Sequence, residues 1–420
     1  MLSAIFISIF AGIFAYLDIE TTDKCIGIVY YSNTSVPVEV MKWQLIGESF
    51  PVMLLNFWFP ATIALLFGGT VFLRRHKPLL YIGLIMGLLV VIYKAYLFIF
   101  SAGPNFIDSY KRYPVNLIFL LGLVLSCLQI SHATKQSRKS IIVRIGLTFV
   151  FSLAMAMSYR YIFVPFFNEQ TSEVYKALIA AIIPLFSLFP VAITKYVVLC
   201  HSTGIASPES SYILVYFNYL APVALYRMMQ AELTELKYFI AFSLLHGIFY
   251  ILAQVTRHFR ENVWGRAVRQ LERHQWRPVP YRSPRNRRLQ ADLEIQEMLS
   301  QFGTLILSQV YMVLYRFSTF DVALDDEIRR ISSRIAISLA IEFVFAWLST
   351  LIQIWLYNIA IKTVWFGYWR RHLLANVLIA VAVVSYFSPV LLSVFMSRVE
   401  GSNNEGNSLR NCTISFTYHK

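Results

Sequence analysis

Long apolar segments alternate with short polar connections along this 420-residue chain. Each segment is close to the roughly 20 residues that an α-helix needs to cross the hydrocarbon core of a bilayer. The pattern therefore predicts an all-α, polytopic bundle of transmembrane helices with about ten or eleven apolar segments. The predicted segments are residues 2–17, 51–73, 79–101, 115–134, 141–166, 174–200, 211–230, 237–255, 298–317, 333–361 and 373–396.

Several of these segments contain proline, among them Pro51, Pro184, Pro190 and Pro222. Most prolines in membrane helices produce kinks, because neighbouring groups satisfy the carbonyls that they free. A segment with such a break can also be a re-entrant half-helix that enters and leaves on the same side. Re-entrant segments stay open as an alternative that changes the number of crossings.

The composition agrees with a membrane protein, since 57% of the residues are hydrophobic and only 14% are charged. A soluble domain carries about 25% charged residues. The chain has no P-loop, GxGxxG or Ser/His/Asp grouping, and its four cysteines form no CxxC pair. We therefore expect no metal, no cofactor, no nucleic-acid partner and no catalysis of covalent chemistry.

The segment Thr256–Gln290 is the most basic part of the chain. It contains ten arginines and only Glu261 and Glu272 as acids, so it carries 10 − 2 = +8 of the formal net charge of +14. Basic loops lie on the cytoplasmic side of membrane proteins. We predict N-terminal membrane helices over 1–255, a basic cytoplasmic loop over 256–297, C-terminal membrane helices over 298–396 and a polar tail over 397–420.

Eleven crossings place the N-terminus inside and the C-terminus outside. Both N-x-S/T sequons, Asn33 and Asn411, then lie on the non-cytoplasmic face and are candidates for glycosylation. Cys25 and Cys412 lie on the same oxidising side, where a disulfide between them is feasible. The alternative is that the sequons occur by chance and are unused. The sequence fits the plasma membrane or an endomembrane of the ER and Golgi.

Ionisable residues inside apolar segments are the strongest functional candidates, because each is costly in lipid and needs a partner or water. Lys94 and Glu342 lie well inside their segments, and Asp18 and Asp23 interrupt the end of the first. Arg160 and Arg227 lie closer to helix ends, where long side chains can snorkel. Each buried charge has two interpretations: it lines a polar path, or it forms a structural ion pair between helices.

The basic loop also contains a periodic stretch in which apolar residues alternate with Arg266, Arg269 and Arg273. Such a stretch predicts an amphipathic helix, ending before Pro278, that contacts anionic lipid headgroups. The alternative is a loop that only orients its neighbouring helices.

Two short patches resemble the XK family, which comprises lipid scramblases and Kell-associated proteins. The first is LDIETTDKCIGIVYY (17–31), with one residue more in its gap than the family has. The residues that match there are Asp18, Thr22, Asp23, Tyr30 and Tyr31.

The second patch, EIQEMLSQFGTLILSQVY (294–311), is similar to a Glu-containing helix of that family. Glu297 and Gln309 fit its ends, whereas Thr304 and Leu305 stand where the family has Pro-Gln. The resemblance implies calcium-independent exchange of phospholipids between leaflets, with Asp18, Asp23, Lys94 and Glu342 as candidates for guiding headgroups. The family also keeps both termini in the cytoplasm, unlike the count of eleven crossings.

The leading hypothesis is a scramblase-like protein that translocates lipids or small solutes. Its expected partners are membrane lipids and, as a further candidate, another membrane protein subunit. One alternative is a receptor or ligand-gated channel. A second is a lipid-linked membrane transferase that uses Asp18, Asp23, Asp325 and Asp326, since acidic pairs in outer loops can hold a metal or act as a base.

Overall fold

The computed structural model is helical in nearly all of the residues that it describes, and the part described contains no strand. This confirms the predicted all-α fold class. The described residues are 5–16, 49, 52–60, 62–63, 65–66, 68–100, 113–135, 137–170, 172–201, 209–233, 235–271, 283–319 and 324–396.

The helices follow one another with short connections. Their bounds are α1 (Ile5–Tyr16), α2 (52–60), α3 (Thr70–Arg75), α4 (Pro78–Phe100), α5 (Tyr113–Thr134), α6 (Arg138–Ile141), α7 (Leu147–Ser158), α8 (Val164–Asn168), α9 (Glu173–His201), α10 (Tyr212–Glu232), α11 (Leu236–Val255), α12 (Arg257–Leu271), α13 (Pro284–Thr319), α14 (Leu324–Tyr357) and α15 (Ile361–Met396). Two π-helical turns, Ile142–Gly146 and Tyr159–Phe163, join α6, α7 and α8 into one rod.

Eight spans in the described part of the chain are long and apolar enough to cross a membrane. Many of their large apolar side chains are exposed on the outside of the bundle, as Trp355 and Phe366 are. An apolar outer surface over many helices fits lipid rather than water. The chain is an integral, multi-pass helical membrane protein.

Helix α10 is the centre of the bundle. Nearly all of its 21 residues are buried, and it packs against α9, α13 and α15. A helix with no face toward lipid can carry polar residues, provided that its neighbours satisfy them. This explains why α10 includes Asn218, Arg227 and Gln230, and why it is less apolar than α9 and α15.

The long helices α9, α10, α11, α13, α14 and α15 alternate in direction along the chain, which defines two ends of the bundle. We call the end where α11 finishes and α13 starts the basic end, because the arginine-rich segment connects them there. At this end Tyr357, the last residue of α14, donates a hydrogen bond of 2.8 Å to the carbonyl of Gln254. At the opposite end Lys176 of α9 pairs with Glu232 of α10 at 3.1 Å.

The predicted cytoplasmic loop 256–297 contains more helix than its polarity suggested. Helix α12 occupies Arg257–Leu271, in agreement with the amphipathic helix predicted there. Helix α13 begins at Pro284, well before the predicted start at residue 298. Polar residues between these positions are buried, Asp292 and Gln296 among them, because α13 continues into a polar part of the bundle.

Proline does not interrupt the two central spans. Helix α9 continues through Pro184 and Pro190, and α10 continues through Pro222. These segments therefore run as single long helices and not as re-entrant half-helices.

Candidate functional site

A buried ion pair joins α10 to α14. One guanidinium nitrogen of Arg227, Nη2, donates to Glu342 Oε1, and the two side chains are only 2% and 6% exposed. The same nitrogen donates to Gln301 Oε1 of α13 at 2.9 Å, and Nη1 donates to Gln230 Oε1 at 2.8 Å. The charged groups are thus compensated by each other and by two amide oxygens, as burial requires.

The amides of Gln230 and Gln301 extend this arrangement to α11. Gln230 Nε2 donates to Ser243 Oγ at 2.6 Å and to the carbonyl of Phe239 at 3.1 Å. Gln301 Nε2 lies 3.0 Å from His246 Nε2. Four helices, α10, α11, α13 and α14, therefore meet through polar side chains in the interior of the bundle.

A second polar cluster lies nearer the basic end, around two carboxyl groups of α13. Glu294 Oε1 accepts hydrogen bonds from Tyr250 Oη at 2.7 Å and from Ser349 Oγ at 2.6 Å. Its Oε2 accepts from the amides of Gln254 and Gln353. The sequence places these donors on one face each of α11 and α14, at spacings of four residues.

Glu297, one turn further along α13, accepts a hydrogen bond from Tyr219 Oη of α10. The Tyr219 hydroxyl in turn accepts from Gln301 Nε2 at 3.3 Å, which connects both clusters. Among the described residues, neither Glu294 nor Glu297 has a basic side chain within ion-pair distance. The buried carboxyl group of Glu294 and the partly buried one of Glu297 therefore have neutral hydrogen-bond donors alone.

These two carboxyl groups line a cavity of about 240 Å³. Its other charged side chains belong to α9 and α12, at the basic end: Lys195, Arg257, Arg260 and Glu261. Lys195 lies 3.6 Å from Glu261, and Arg257 lies 3.3 Å from it. The cavity thus has basic groups at the end of the bundle and carboxyl groups deeper inside.

Polar groups continue to the opposite end of the bundle. Arg334 of α14 donates to the carbonyls of Ala231 at 3.4 Å and Leu233 at 3.0 Å, where α10 ends. Glu232 lies beside them and pairs with Lys176. The side chains that run from one end to the other, which we call the polar track, are Arg257, Glu294, Glu297, Tyr219, Gln301, Arg227, Glu342, Gln230, Glu232 and Arg334.

Two of the residues predicted to line a polar path lie inside the described chain, and the structure separates them. Glu342 belongs to the polar track, through its pair with Arg227. Lys94 is buried in α4, which packs against α5, and neither of these helices lines the cavity. Asp18 and Asp23 lie outside the described residues.

The remaining predicted site residues divide in the same way. Arg266 is exposed on α12, and its contact with anionic lipid stays a prediction. Arg269 lies in α12, but its side chain is not among those described. Arg273, Asn33, Asn411, Cys25 and Cys412 lie outside the described part of the chain.

One expectation about the buried charges is wrong. Arg227 does not snorkel toward water, because three carboxyl and amide oxygens accept hydrogen bonds from its two terminal nitrogens inside the bundle. The position of Arg227 near the end of α10 did not indicate access to water, since other helices cover α10 on all sides.

Sequence reasoning did not select Glu294, Glu297 and Gln301 as site residues. Their signal was present in the spacing, since these residues lie on one face of a helix at i, i+3 and i+7. Tyr250 and Gln254 repeat the same spacing of four on α11. A polar face on an otherwise membrane-like helix marks an interior path or interface.

No protein-family model, curated protein or solved structure matches this chain in the three comparisons made.

Proposed function

We propose that this membrane protein moves phospholipids between the two leaflets of the bilayer. The observation that carries the proposal is the polar track, which extends from the basic end to the opposite end through a bundle that is otherwise apolar. A lipid headgroup crosses hydrocarbon at a high free-energy cost, because its charges lose their hydration. Charged and amide side chains along the interior replace part of that hydration.

The state described here is closed. The lining of the cavity reaches Glu297. Beyond it lie the side chains of Tyr219, Gln301 and Arg227, which are joined by hydrogen bonds. A headgroup that travels further along the polar track has to displace Glu342 from Arg227. A phosphate is a suitable competitor, since a guanidinium binds phosphate and carboxylate with the same donor geometry. The ion pair between α10 and α14 thus acts as the gate in this proposal.

The resemblance to the XK family, noted from two short patches of the sequence, implies the same function. The residues that carry its first patch, Asp18 to Tyr31, lie outside the described residues. In its second patch, Glu297 borders the cavity and Gln309 is buried further along α13.

A ligand-gated channel is the second candidate. It is favoured by one observation, a cavity that is connected to a buried ion pair through the hydrogen bonds of Tyr219 and Gln301. Ligand binding that separates Arg227 from Glu342 opens a path for ions in this alternative. Lipid exchange and ion flux distinguish the two candidates directly.

The test is leaflet exchange in liposomes that contain the purified full chain. A reductant that cannot cross the bilayer is added outside and destroys the fluorescence of labelled phospholipid in the outer leaflet. The fraction of the fluorescence that remains is measured. We expect exchange of lipid in the protein-containing liposomes above that in protein-free liposomes. Normal insertion with no exchange contradicts the proposal, and an ion current in the same liposomes favours the channel.

A further inference from the structure

We infer that the 240 Å³ cavity binds a phosphoethanolamine headgroup, with its ammonium between Glu294 and Glu297 and its phosphate near Lys195, Arg257 and Arg260. The inference deepens the proposed lipid movement and rests on it for the source of the ligand. It names a headgroup class, and it concerns the part of the polar track that lies nearest the basic end.

The carboxyl side of the cavity is suited to a cation. Glu294 is 2% exposed and Glu297 follows it on the same face of α13. Burial of a carboxylate is costly unless an opposite charge or several donors compensate it. Glu294 accepts hydrogen bonds from four neutral donors, whereas Glu297 accepts one from Tyr219. Neither carboxyl group has an opposite charge beside it among the described residues, and an ammonium that binds between them supplies one.

The walls beside these carboxyl groups are suited to an organic cation. Four tyrosines line the cavity, namely Tyr196, Tyr216, Tyr219 and Tyr250. Aromatic faces attract ammonium groups through the electron density of their rings. Carboxyl groups together with several tyrosines form an arrangement that favours a cation over a neutral ligand.

The lining of the cavity also contains a hydrogen-bond acceptor without a donor among the described residues, the side-chain oxygen of Gln353. Gln353 lines the cavity and is 1% exposed, and its Oε1 has no hydrogen-bond partner in the described part of the chain. Its Nε2 is occupied by Glu294, which holds the amide in position. A buried acceptor without a donor is unfavourable, and a primary ammonium carries three N–H donors.

The basic end of the cavity has the opposite character. Lys195, Arg257 and Arg260 line it together with one acid, Glu261, so the local charge is 3 − 1 = +2. Glu261 lies within 4 Å of both Lys195 and Arg257 and shares their charge. A phosphate that enters here binds the cations alongside Glu261, since each cation retains further N–H donors.

Size and polarity fit a headgroup better than a whole lipid. Pockets for drug-sized ligands measure roughly 300–1,000 Å³, so this cavity takes a smaller molecule. Along α13 it extends from Gln290 to Glu297, about two helical turns or roughly 11 Å. A phosphate and an ammonium joined by a short linker fit this length, with the acyl chains outside the cavity.

The same groups discriminate between headgroups. A choline ammonium has no N–H donor for Gln353 Oε1 and gains only the electrostatic and aromatic contacts. A serine headgroup brings a carboxylate toward Glu294 and Glu297, where like charges repel. A glycerol headgroup has no cation. We therefore expect ethanolamine to bind best, choline less well, and serine and glycerol weakly.

The test is thermal unfolding of the purified full chain in detergent, with soluble phosphoethanolamine and short-chain phosphatidylethanolamine as probes. A ligand that binds the folded state raises the midpoint Tm with its concentration. We expect both probes to raise Tm, because the headgroup carries the recognition, and phosphocholine and phosphoserine to act less. Binding of the short-chain lipid without binding of phosphoethanolamine overturns the inference, since acyl chains then carry the affinity.

Two substitutions locate the probe. Glu297→Gln removes one carboxylate and keeps the hydrogen-bond acceptor for Tyr219, and we expect phosphoethanolamine to bind about tenfold more weakly. Lys195→Gln, at a partly exposed position, removes a cation from the phosphate side and is also expected to weaken binding. It tests the site even where Glu297→Gln fails to fold. Glu235→Gln, on an exposed acid far from the cavity, is the matched control and keeps wild-type binding. Unchanged binding in both cavity variants contradicts the site.

Leaflet exchange, measured after the same proteins are placed in liposomes, separates this inference from the proposed function. Phosphoethanolamine binding that depends on Glu297, in a protein without leaflet exchange, leaves the headgroup site standing and removes lipid movement. Leaflet exchange of all headgroups at one rate, without phosphoethanolamine binding, supports lipid movement and contradicts the headgroup site.

Discussion

Arg227 and Glu342 form an ion pair between α10 and α14 that is almost completely removed from solvent and lipid. The pair lies where four helices meet, and the amide oxygens of Gln230 and Gln301 accept further hydrogen bonds from the guanidinium of Arg227. Glu342 was expected either to line a path or to form a structural pair. In the structure it forms a pair with Arg227, and the proposed function requires that this pair opens.

The first prediction concerns the stability of this pair. Arg227→Met leaves Glu342 buried without its cation, and we expect a loss of about 3–5 kcal/mol in the free energy of unfolding. The double variant Arg227→Met/Glu342→Met removes both charges and is expected to lie much closer to the wild type. Thermal unfolding in detergent gives the comparison. A single variant as stable as the wild type contradicts a compensated buried pair.

A second prediction compares two acid–base pairs at the opposite end of the bundle. Glu232 and Lys176 are buried, at 3% and 10% exposure, whereas the neighbouring pair of Glu235 and Lys237 is largely exposed. Glu232→Gln deprives a buried ammonium of a carboxylate, so we expect a loss of about 3 kcal/mol. Glu235→Gln is the matched control, with little or no change because water solvates Lys237. Equal decreases of Tm in the two variants contradict the prediction, because the buried pair then contributes no more to stability than the exposed one.

The third prediction concerns the close contact of α11 and α14. A Cβ atom at Gly247 overlaps the ring of Phe345, including the ring atom nearest the backbone. Gly247→Ala therefore pushes α14 away from α11, and we expect a loss of about 2 kcal/mol by overpacking. Gly367→Ala is the control, since nothing lies within 4 Å of the added atom there. The result is read from unfolding temperatures, and an undisturbed Gly247→Ala protein means that the two helices are further apart.

Much of the fold was predictable because hydropathy reports which segments prefer lipid. The spans from 79–101 to 237–255 agree with α4 to α11 within a few residues, apart from the π-helical turns in 141–166. The start of α13 was not predictable in this way, because Glu294 and Glu297 are satisfied by residues of α10, α11 and α14 that are distant in sequence. A local window cannot detect such compensation. The same limit applies to Arg227, whose burial depends on the helices that surround α10.

The most direct test of the central claim is the rate of leaflet exchange for the Arg227→Met/Glu342→Met double variant beside the wild type. The two proteins are expected to be similar in stability, and they differ in the charges at the middle of the polar track. Since a hydrogen bond to a charged group contributes about 1.5–3 kcal/mol, we predict at least about tenfold slower exchange of fluorescent phospholipid in the double variant. Exchange at the wild-type rate in the folded double variant contradicts a headgroup path along the polar track.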